Sequence, residues 1–283
     1  MASSVTVPCD LCGHVEHKPF LAKSGGFYTR CPSCGFVYTN PVTSDLSEHN
    51  KIYYNETSGK YIQKHFSIRH QRKCCALLRK FNRHRKLGKL LEIGCNAGGF
   101  VYAADLKGWE AHGIEPVEKV TEYAKRKYGL NIQNCFVEHA DLPEGGFDVV
   151  YSNAVFEHLP SPTAAFRQVR RLLRVGGVAY IETVNIASYT FEFLGEGWRL
   201  IDPRDHPSLY SPVTMRQFAK KSGLDIVRIM TRGVRFRSTG ERRLSGIKRI
   251  TEEIKKLPYS ILSRLKLKGD RIVLEARKID GAD

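Results

Sequence analysis

The sequence has no uninterrupted run of about 18 apolar residues, the length that a helix needs to cross a bilayer. Its first residues lack the charged-then-apolar pattern of a secretory signal peptide. It also has no internal repeat and no low-complexity segment. These absences argue against transmembrane and repeat architectures, and they predict a soluble, unexported protein of the cytoplasm.

Acidic residues are scarce relative to basic ones, with 29 Asp and Glu against 45 Lys and Arg, so the formal net charge is +16. The cations concentrate in two zones, from Arg69 to Lys89 and from Arg232 to Lys278. Such an excess favours polyanionic partners, such as RNA, phosphorylated or nucleotide-linked sugars, or an anionic membrane face. A solvated basic surface explains the charge equally well, so charge alone does not choose between them.

Four of the eight cysteines form two C-x-x-C pairs, each followed by glycine: Cys9, Cys12, Cys31 and Cys34. This spacing predicts a closed four-sulfur Zn²⁺ site, and a closed site is structural because no ligand position is left for water. Disulfides are disfavoured without an export signal. A thioredoxin-like redox motif is disfavoured because no βαβ pattern surrounds the pairs. The metal would replace the core that some forty residues cannot form alone.

A strand that breaks into a glycine-bearing turn and then a helix occupies residues 90–100. Small residues there let backbone N–H groups approach a ligand, and the helix N-terminus adds a positive dipole end. About 20 residues further on, the distance expected in a βαβ nucleotide site, a second apolar run ends at Glu115. A carboxylate at that position can accept hydrogen bonds from both hydroxyls of a ribose.

Strands and helices then alternate, which predicts an α/β fold with a Rossmann-like, doubly wound parallel sheet whose ligands bind at the carboxyl ends of the strands. We expect a third strand ending near 136–137, a fourth at 147–152, a fifth at 177–182, a sixth at 224–236 and a last at 270–276. A basic helical segment is expected at 241–267. The predicted domains are a zinc ribbon (1–45), a helical lid or linker (46–86) and a core with a basic C-terminal segment (87–283).

The motifs at these strand ends are Glu-x-Gly-x-x-x-Gly (92–98), Gly-Ile-Glu-Pro (113–116), Phe-Asp-Val-Val (147–150), Glu-His-Leu-x-x-Pro (157–162) and Leu-Leu-Arg-x-Gly-Gly (172–177). The series resembles class I S-adenosylmethionine (SAM)-dependent methyltransferases, in the branch of the ubiquinone-biosynthesis O-methyltransferases and many sugar or polysaccharide methyltransferases. The resemblance spans about Leu87 to Phe236 and extends more loosely to the ribbon. A dehydrogenase is the alternative, disfavoured because Gly-x-Gly-x-x-Gly spacing is missing.

The resemblance implies SAM as cofactor, an antiparallel last strand, and a role for each matching residue. Glu92 would order the loop and hold the methionine amino group through water, and Glu115 would take the ribose. Glu138 or Asp141 would lie near the adenine. The backbone of the loop and the end of the fourth strand would complete the cofactor contacts through Gly94, Asn96, Gly98 and Asn153. Related enzymes carry glycine at position 96, and asparagine is the residue that best replaces it in a left-handed backbone.

On the acceptor side, the resemblance places Tyr53 in a lid, and it places Glu157, Trp198, Arg199 and Tyr210 around the acceptor. His158 is the first candidate for a general base and His206 the second, because imidazole titrates near the working pH. Packing or loop-holding roles for these side chains remain open.

The function predicted is methyl transfer from SAM to an oxygen, or a nitrogen, of a small biosynthetic acceptor such as a sugar or a phosphate-bearing intermediate, and we expect this acceptor to be anionic. One alternative is an RNA methyltransferase that grips the backbone with its ribbon and basic tail, so that binding weakens steeply with salt. Another is an inactive nucleic-acid or protein interaction module, against which the intact acids Glu92 and Glu115 argue.

Overall fold

The computed structural model describes residues 4–43, 62, 64–236 and 257–281. Its centre is a seven-stranded sheet. The strands are β6 (Lys89–Ile93), β7 (Glu110–Ile114), β8 (Asn131–Gln133), β9 (Phe147–Asn153), β10 (Leu173–Val184), β12 (Leu224–Arg232) and β13 (Arg271–Lys278). Their spatial order is β12-β13-β10-β9-β6-β7-β8.

Five strands, β8, β7, β6, β9 and β10, pair in parallel, and β13 lies antiparallel between β10 and β12. The central strands β6 and β9 are buried nearly throughout because helices cover both faces of such a sheet. The predicted doubly wound sheet with an antiparallel last strand is therefore confirmed.

The helices follow the predicted alternation, and three begin at serine caps. The Ser67 hydroxyl accepts from the His70 amide, the Ser188 hydroxyl accepts from the Phe191 amide, and Ser211 with Thr214 forms a capping box. The helix bounds are Ile68–Phe81, Gly99–Asp105, Glu118–Tyr128, Pro162–Leu172, Tyr189–Leu194 and Pro212–Lys221. Among the described residues, no helix combines the length and the apolarity that crossing a bilayer requires.

Several boundaries differ from the predicted ones. The third strand ends at Gln133, and a 3₁₀ turn at Val137–His139 occupies the predicted strand end. The sixth strand stops at Arg232, after which Gly233 turns the chain with φ of 81°. Residues 257–265 are helical as predicted, whereas 241–256 lie outside the described residues, as do residues 46–61 of the predicted lid, Tyr53 among them.

The N-terminal ribbon consists of β2 (Lys18–Lys23), β3 (Gly26–Arg30) and β4 (Val37–Thr39), with the short pair β1 (Ser4–Val5) and β5 (Val42–Thr43) beside it. A fourth ribbon strand, β11 (Ser208–Leu209), comes from the core and pairs with β4. Phe36 also packs on Phe218, with ring centroids 4.9 Å apart. The ribbon and core therefore share one sheet and one apolar cluster, which the sequence had not indicated.

Candidate functional site

The glycine-bearing loop follows β6 at the carboxyl edge of the sheet. Gly94 has φ of 70°, and a Cβ atom there would lie 2.2 Å from a methyl group of Val155. Any side chain at this position would therefore collide with the segment that follows β9. Asn96 has φ of 49°, which confirms the left-handed backbone expected at a position where related enzymes carry glycine. Gly98 ends the loop with φ of 75° and precedes the helix Gly99–Asp105.

Glu115, at the end of β7, holds this loop through its carboxylate. One oxygen accepts from the Asn96 amide and the other from the Val117 amide, both at 2.9 Å. Asn134 donates to the Glu115 carbonyl oxygen at 2.9 Å. Burial raises the pKa of Glu115, and the two amide donors limit the rise. A carboxylate oxygen has more than one acceptor position, so the same group can also receive hydroxyl donors from a ligand.

Glu92, within β6, is the second acid of the loop. Its side chain is buried, and its Oε2 atom has no hydrogen-bond partner among the described residues. Burial raises the pKa of Glu92 well above its usual range, and the charge of Glu115 adds to the rise. An unpaired buried carboxyl of this kind is costly unless a ligand supplies a donor or a positive charge. The two acids and the glycine cradle therefore fit a cofactor that carries a ribose and an ammonium group.

The remaining predicted cofactor residues lie at the same edge. Glu138 is half-buried in the 3₁₀ turn after β8, and Asp141 follows it with an exposed side chain. The Asp141 carbonyl accepts from Gln133 at 2.7 Å, which ties this segment to the end of β8. Asn153 ends β9 with an exposed side chain. Their contacts with a cofactor stay predictions.

A cluster of titratable side chains follows β9. Glu157 is buried and accepts from the Thr183 hydroxyl at 2.6 Å and from Arg271 at 3.1 Å. His158 has its Nδ1 atom 2.6 Å from the Asp205 carbonyl oxygen and 3.4 Å from the Asp205 carboxylate. The ring of His206 lies 4.6 Å from the ring of His158, centroid to centroid.

The two histidines have opposite electrostatics. Burial lowers the pKa of His158, but the hydrogen bond that His158 donates to Asp205 and the charges of Glu157 and Asp205 outweigh it, so the net pKa is raised. For His206, burial and the charge of His158 together lower the pKa. The two candidate bases therefore lie side by side. Asp205 contacts His158 although the two residues are 47 positions apart in the sequence. The carboxylates of Glu157 and Asp205 act to raise the pKa of both rings, but only at His158 do they outweigh the opposing effect of burial.

The other predicted acceptor residues have different surroundings. Trp198 is almost fully buried and packs in a cluster with Tyr28 and Val37 of the ribbon. Tyr210 is fully buried, and its hydroxyl donates to the Phe156 carbonyl at 3.0 Å. Arg199 is exposed. The structure therefore brings Glu157, His158 and His206 together, and it packs Trp198 and Tyr210 between the ribbon and the core.

Sequence reasoning missed several residues of this cluster. Asp205 directly precedes the candidate base His206, and this position is the signal that could have identified it. Thr183 and Arg271 lie at strand ends and carry no comparable signal. Their contacts with Glu157 depend on the pairing of β10 with β13, which no local pattern reveals.

The four ribbon cysteines form a second cluster, and all four Sγ atoms lie within 4.8 Å of one another. Two matched turns build it: the Gly13 amide donates to the Cys9 carbonyl at 2.7 Å, and the Gly35 amide donates to the Cys31 carbonyl at 2.9 Å. The Sγ atoms of Cys9 and Cys34 are 3.5 Å apart, as are those of Cys12 and Cys31. Four converging sulfurs on two such turns are the donor set of a zinc ribbon.

A parallel sheet whose carboxyl edge carries a left-handed glycine loop and two buried acids defines a Rossmann-like α/β domain of the nucleotide-cofactor type. A family profile described as a methyltransferase domain matches residues 66–229, more than half of the sequence, and the chain belongs to this family. The resemblance to class I SAM-dependent methyltransferases is thereby confirmed.

Curated relatives include the ubiquinone biosynthesis O-methyltransferase of Methylococcus capsulatus, 29% identical over 150 residues, which are 49% of this chain and 63% of the relative. The enzyme of the same name from Vibrio parahaemolyticus is 28% identical over 149 residues, which are 48% of this chain and 63% of the relative. The chain therefore spans slightly less than two thirds of the length of these relatives.

Solved structures agree on the fold. A SAM-dependent methyltransferase of Thermotoga maritima superposes with a TM-score of 0.53 at 18% identity, covering 82% of this chain and 99% of that one. Phosphoethanolamine N-methyltransferase 2 of Haemonchus contortus, solved with SAM, gives a TM-score of 0.58 at 17% identity, covering 86% of this chain and 62% of that one. At these identities the likeness extends to the fold alone.

Proposed function

We propose that this chain transfers a methyl group from SAM to an oxygen, or a nitrogen, of a small acceptor. The observation that carries the proposal is that the cofactor loop and the His158–Asp205 pair meet at one edge of the sheet. The Val155 side chain packs against Gly94, and Val155 lies three residues before His158. The cofactor loop and the His158–Asp205 pair are therefore adjacent. The family and the names of the curated relatives support the same chemistry.

SAM, when bound, supplies a methyl group on a positively charged sulfur. Glu92 would hold its ammonium group and Glu115 its ribose. The backbone amides of residues 94–98 would line its binding site. His158 would take the proton from the acceptor hydroxyl. Its Nδ1–H donates to the Asp205 carbonyl, so in the neutral ring the lone pair resides on Nε2.

The finer prediction is an anionic acceptor, such as a sugar or a phosphate-bearing intermediate. It is supported by the exposed Arg199, which lies with His206 in the chain between β10 and β11. The names of the relatives favour an oxygen acceptor. RNA as the acceptor stays a prediction, because much of the basic tail on which it depends lies outside the described residues.

The test is calorimetric titration of the purified protein with SAM and S-adenosylhomocysteine. We expect binding at micromolar strength, roughly −8 kcal/mol. A panel of phenolic, sugar-nucleotide and phosphorylated acceptors is then screened for uptake of a labelled methyl group, with total RNA as a further arm. Absence of binding to either ligand would contradict the proposal and favour an interaction module.

We also propose that the four-cysteine cluster binds one structural Zn²⁺, and metal analysis should find one zinc per chain. Cys9 and Cys31 belong to the main core cluster and Cys34 packs against it. Losing one metal ligand should therefore destabilise the fold. Cys9→Ser should lower the free energy of unfolding by about 4 kcal/mol, the magnitude typical of losing a metal site. Cys75→Ser, in the helix Ile68–Phe81, is the matched control. A metal-free protein of unchanged stability would refute the assignment.

A further inference from the structure

The ribbon contacts the segment that carries Asp205 and His206. The Tyr28 hydroxyl, on β3, donates to the His206 carbonyl at 2.8 Å, and the contact is buried. The Thr39 hydroxyl, at the end of β4, donates to the Pro203 carbonyl at 2.8 Å. The Thr39 amide donates to the Pro207 carbonyl at the same distance. Three ribbon donors therefore fix the backbone on both sides of Asp205.

The opposite side of the segment is tied to the turn that carries Glu157 and His158. The Ser208 hydroxyl donates to the Leu159 carbonyl at 2.7 Å, and Tyr210 donates to the Phe156 carbonyl. Ser208 and Leu209 also pair with β4 as the edge strand of the ribbon sheet. The segment 203–210 thus lies between the ribbon and the turn that carries Glu157 and His158, and it contacts both.

The first cysteine turn contacts the same region. The Asp10 carboxylate, between two metal-site cysteines, accepts from the Ser161 hydroxyl at 2.9 Å and from the Thr163 amide at 2.7 Å. It therefore caps the helix Pro162–Leu172, which begins just after the turn that carries Glu157 and His158. In the described part of the chain, the hydrogen bonds between the ribbon and the core involve core residues 161–163, 196–209 and Lys221, and none reaches the cofactor loop 94–99.

We propose that the ribbon is a positioning element for the acceptor half of the site, with Tyr28 and Thr39 as the positioning residues that hold Asp205 against His158. The cofactor half is built without it. The placement of the segment rests on the contacts above, and only its effect on methyl transfer rests on the proposed function. The metal site would then govern turnover through this segment while SAM binding is retained.

The test compares Tyr28→Phe with Tyr38→Phe in the full, zinc-loaded chain. Tyr38 is a matched control because its hydroxyl contacts His17, within the ribbon, at 3.0 Å. Hydrogen exchange followed by mass spectrometry should show about tenfold faster exchange at residues 200–210 in Tyr28→Phe, with residues 90–100 unchanged, since a buried carbonyl loses its donor. Tyr38→Phe should leave both segments unchanged. Thr39→Val, which removes a second donor with little change of shape, should reproduce the effect.

Kinetics supply the second readout. Tyr28→Phe should lower kcat several-fold with SAM affinity within twofold of the wild type, and adding Asp205→Asn should produce little further loss because both changes act through one contact. Equal exchange in Tyr28→Phe and Tyr38→Phe, or acceleration of residues 90–100 alongside 200–210, would overturn the proposal. Because exchange is measured without SAM or acceptor, failure of the proposed function leaves this test intact.

Discussion

Glu115→Ala is expected to weaken SAM binding at least about 100-fold, because two charge-assisted hydrogen bonds to the ribose would be lost, each contributing roughly 1.5–3 kcal/mol. The substitution also removes the acceptor for the Asn96 and Val117 amides, so the loop loses its anchor before any ligand arrives. Calorimetric titration with SAM measures the loss directly. Melting temperature, measured without ligand, separates loop destabilisation from lost ligand contacts.

Two variants sharpen this experiment. Glu115→Gln keeps one acceptor oxygen and removes the charge, so its loss of affinity should lie between those of wild type and Glu115→Ala. Glu122→Ala, on the exposed side of the helix Glu118–Tyr128, should bind SAM as the wild type does. If His158→Ala weakened SAM binding as much as Glu115→Ala, the division into cofactor and acceptor halves would be wrong.

The backbone of the cofactor half could be predicted from sequence because that half is local. Strand, glycine turn and helix occupy residues 89–105 without interruption, and the left-handed backbone at Asn96 followed from the glycine of related enzymes together with the stereochemistry of asparagine. Glu115 ends the next strand, and parallel pairing of β6 with β7 brings it to the loop by the rules of the fold.

The acceptor half was less predictable because it is assembled from distant segments. His158 and His206 were candidates separately, but nothing local shows that Asp205 orients His158 or that Arg271 pairs with Glu157. The role of Tyr28 depends on β11 joining the ribbon sheet, and β11 has only two residues. A strand that short has no periodicity from which its pairing could be predicted.

Part of the basic charge has a structural explanation that composition alone did not supply. Glu182 of β10 and Glu275 of β13 are buried, and three arginines pair with them, two of which lie in the basic zones. Arg83 and Arg228 contact Glu275, and Arg232 contacts Glu182. A buried carboxylate needs such a partner, whereas the same arginines remain half-exposed and visible to anions. Net charge therefore overstates the surface available to a polyanion.

His158→Ala is expected to lower kcat by about 100-fold to 10,000-fold, the contribution of a positioned general base. SAM affinity should change little because His158 is placed on the acceptor side. His112→Ala is the control, since that partly buried histidine on β7 contacts Glu110 and Asn131 instead. Methyl uptake with the acceptor found by screening gives kcat, and calorimetry gives SAM affinity. An unchanged kcat would remove His158 from the mechanism.

The pH profile tests the same assignment with its sign. A general base must be neutral, so activity should rise as pH increases through the pKa of His158. Burial lowers that pKa, but Asp205 and Glu157 outweigh it and the net pKa is raised. The charge of His158 in turn lowers the pKa of His206 and counteracts the rise in the pKa of Glu115. Asp205→Asn removes a negative charge, so the pKa of His158 should fall and the acid limb of the kcat profile should move to lower pH. Movement of that limb to higher pH would mean that Asp205 does not act on the catalytic base.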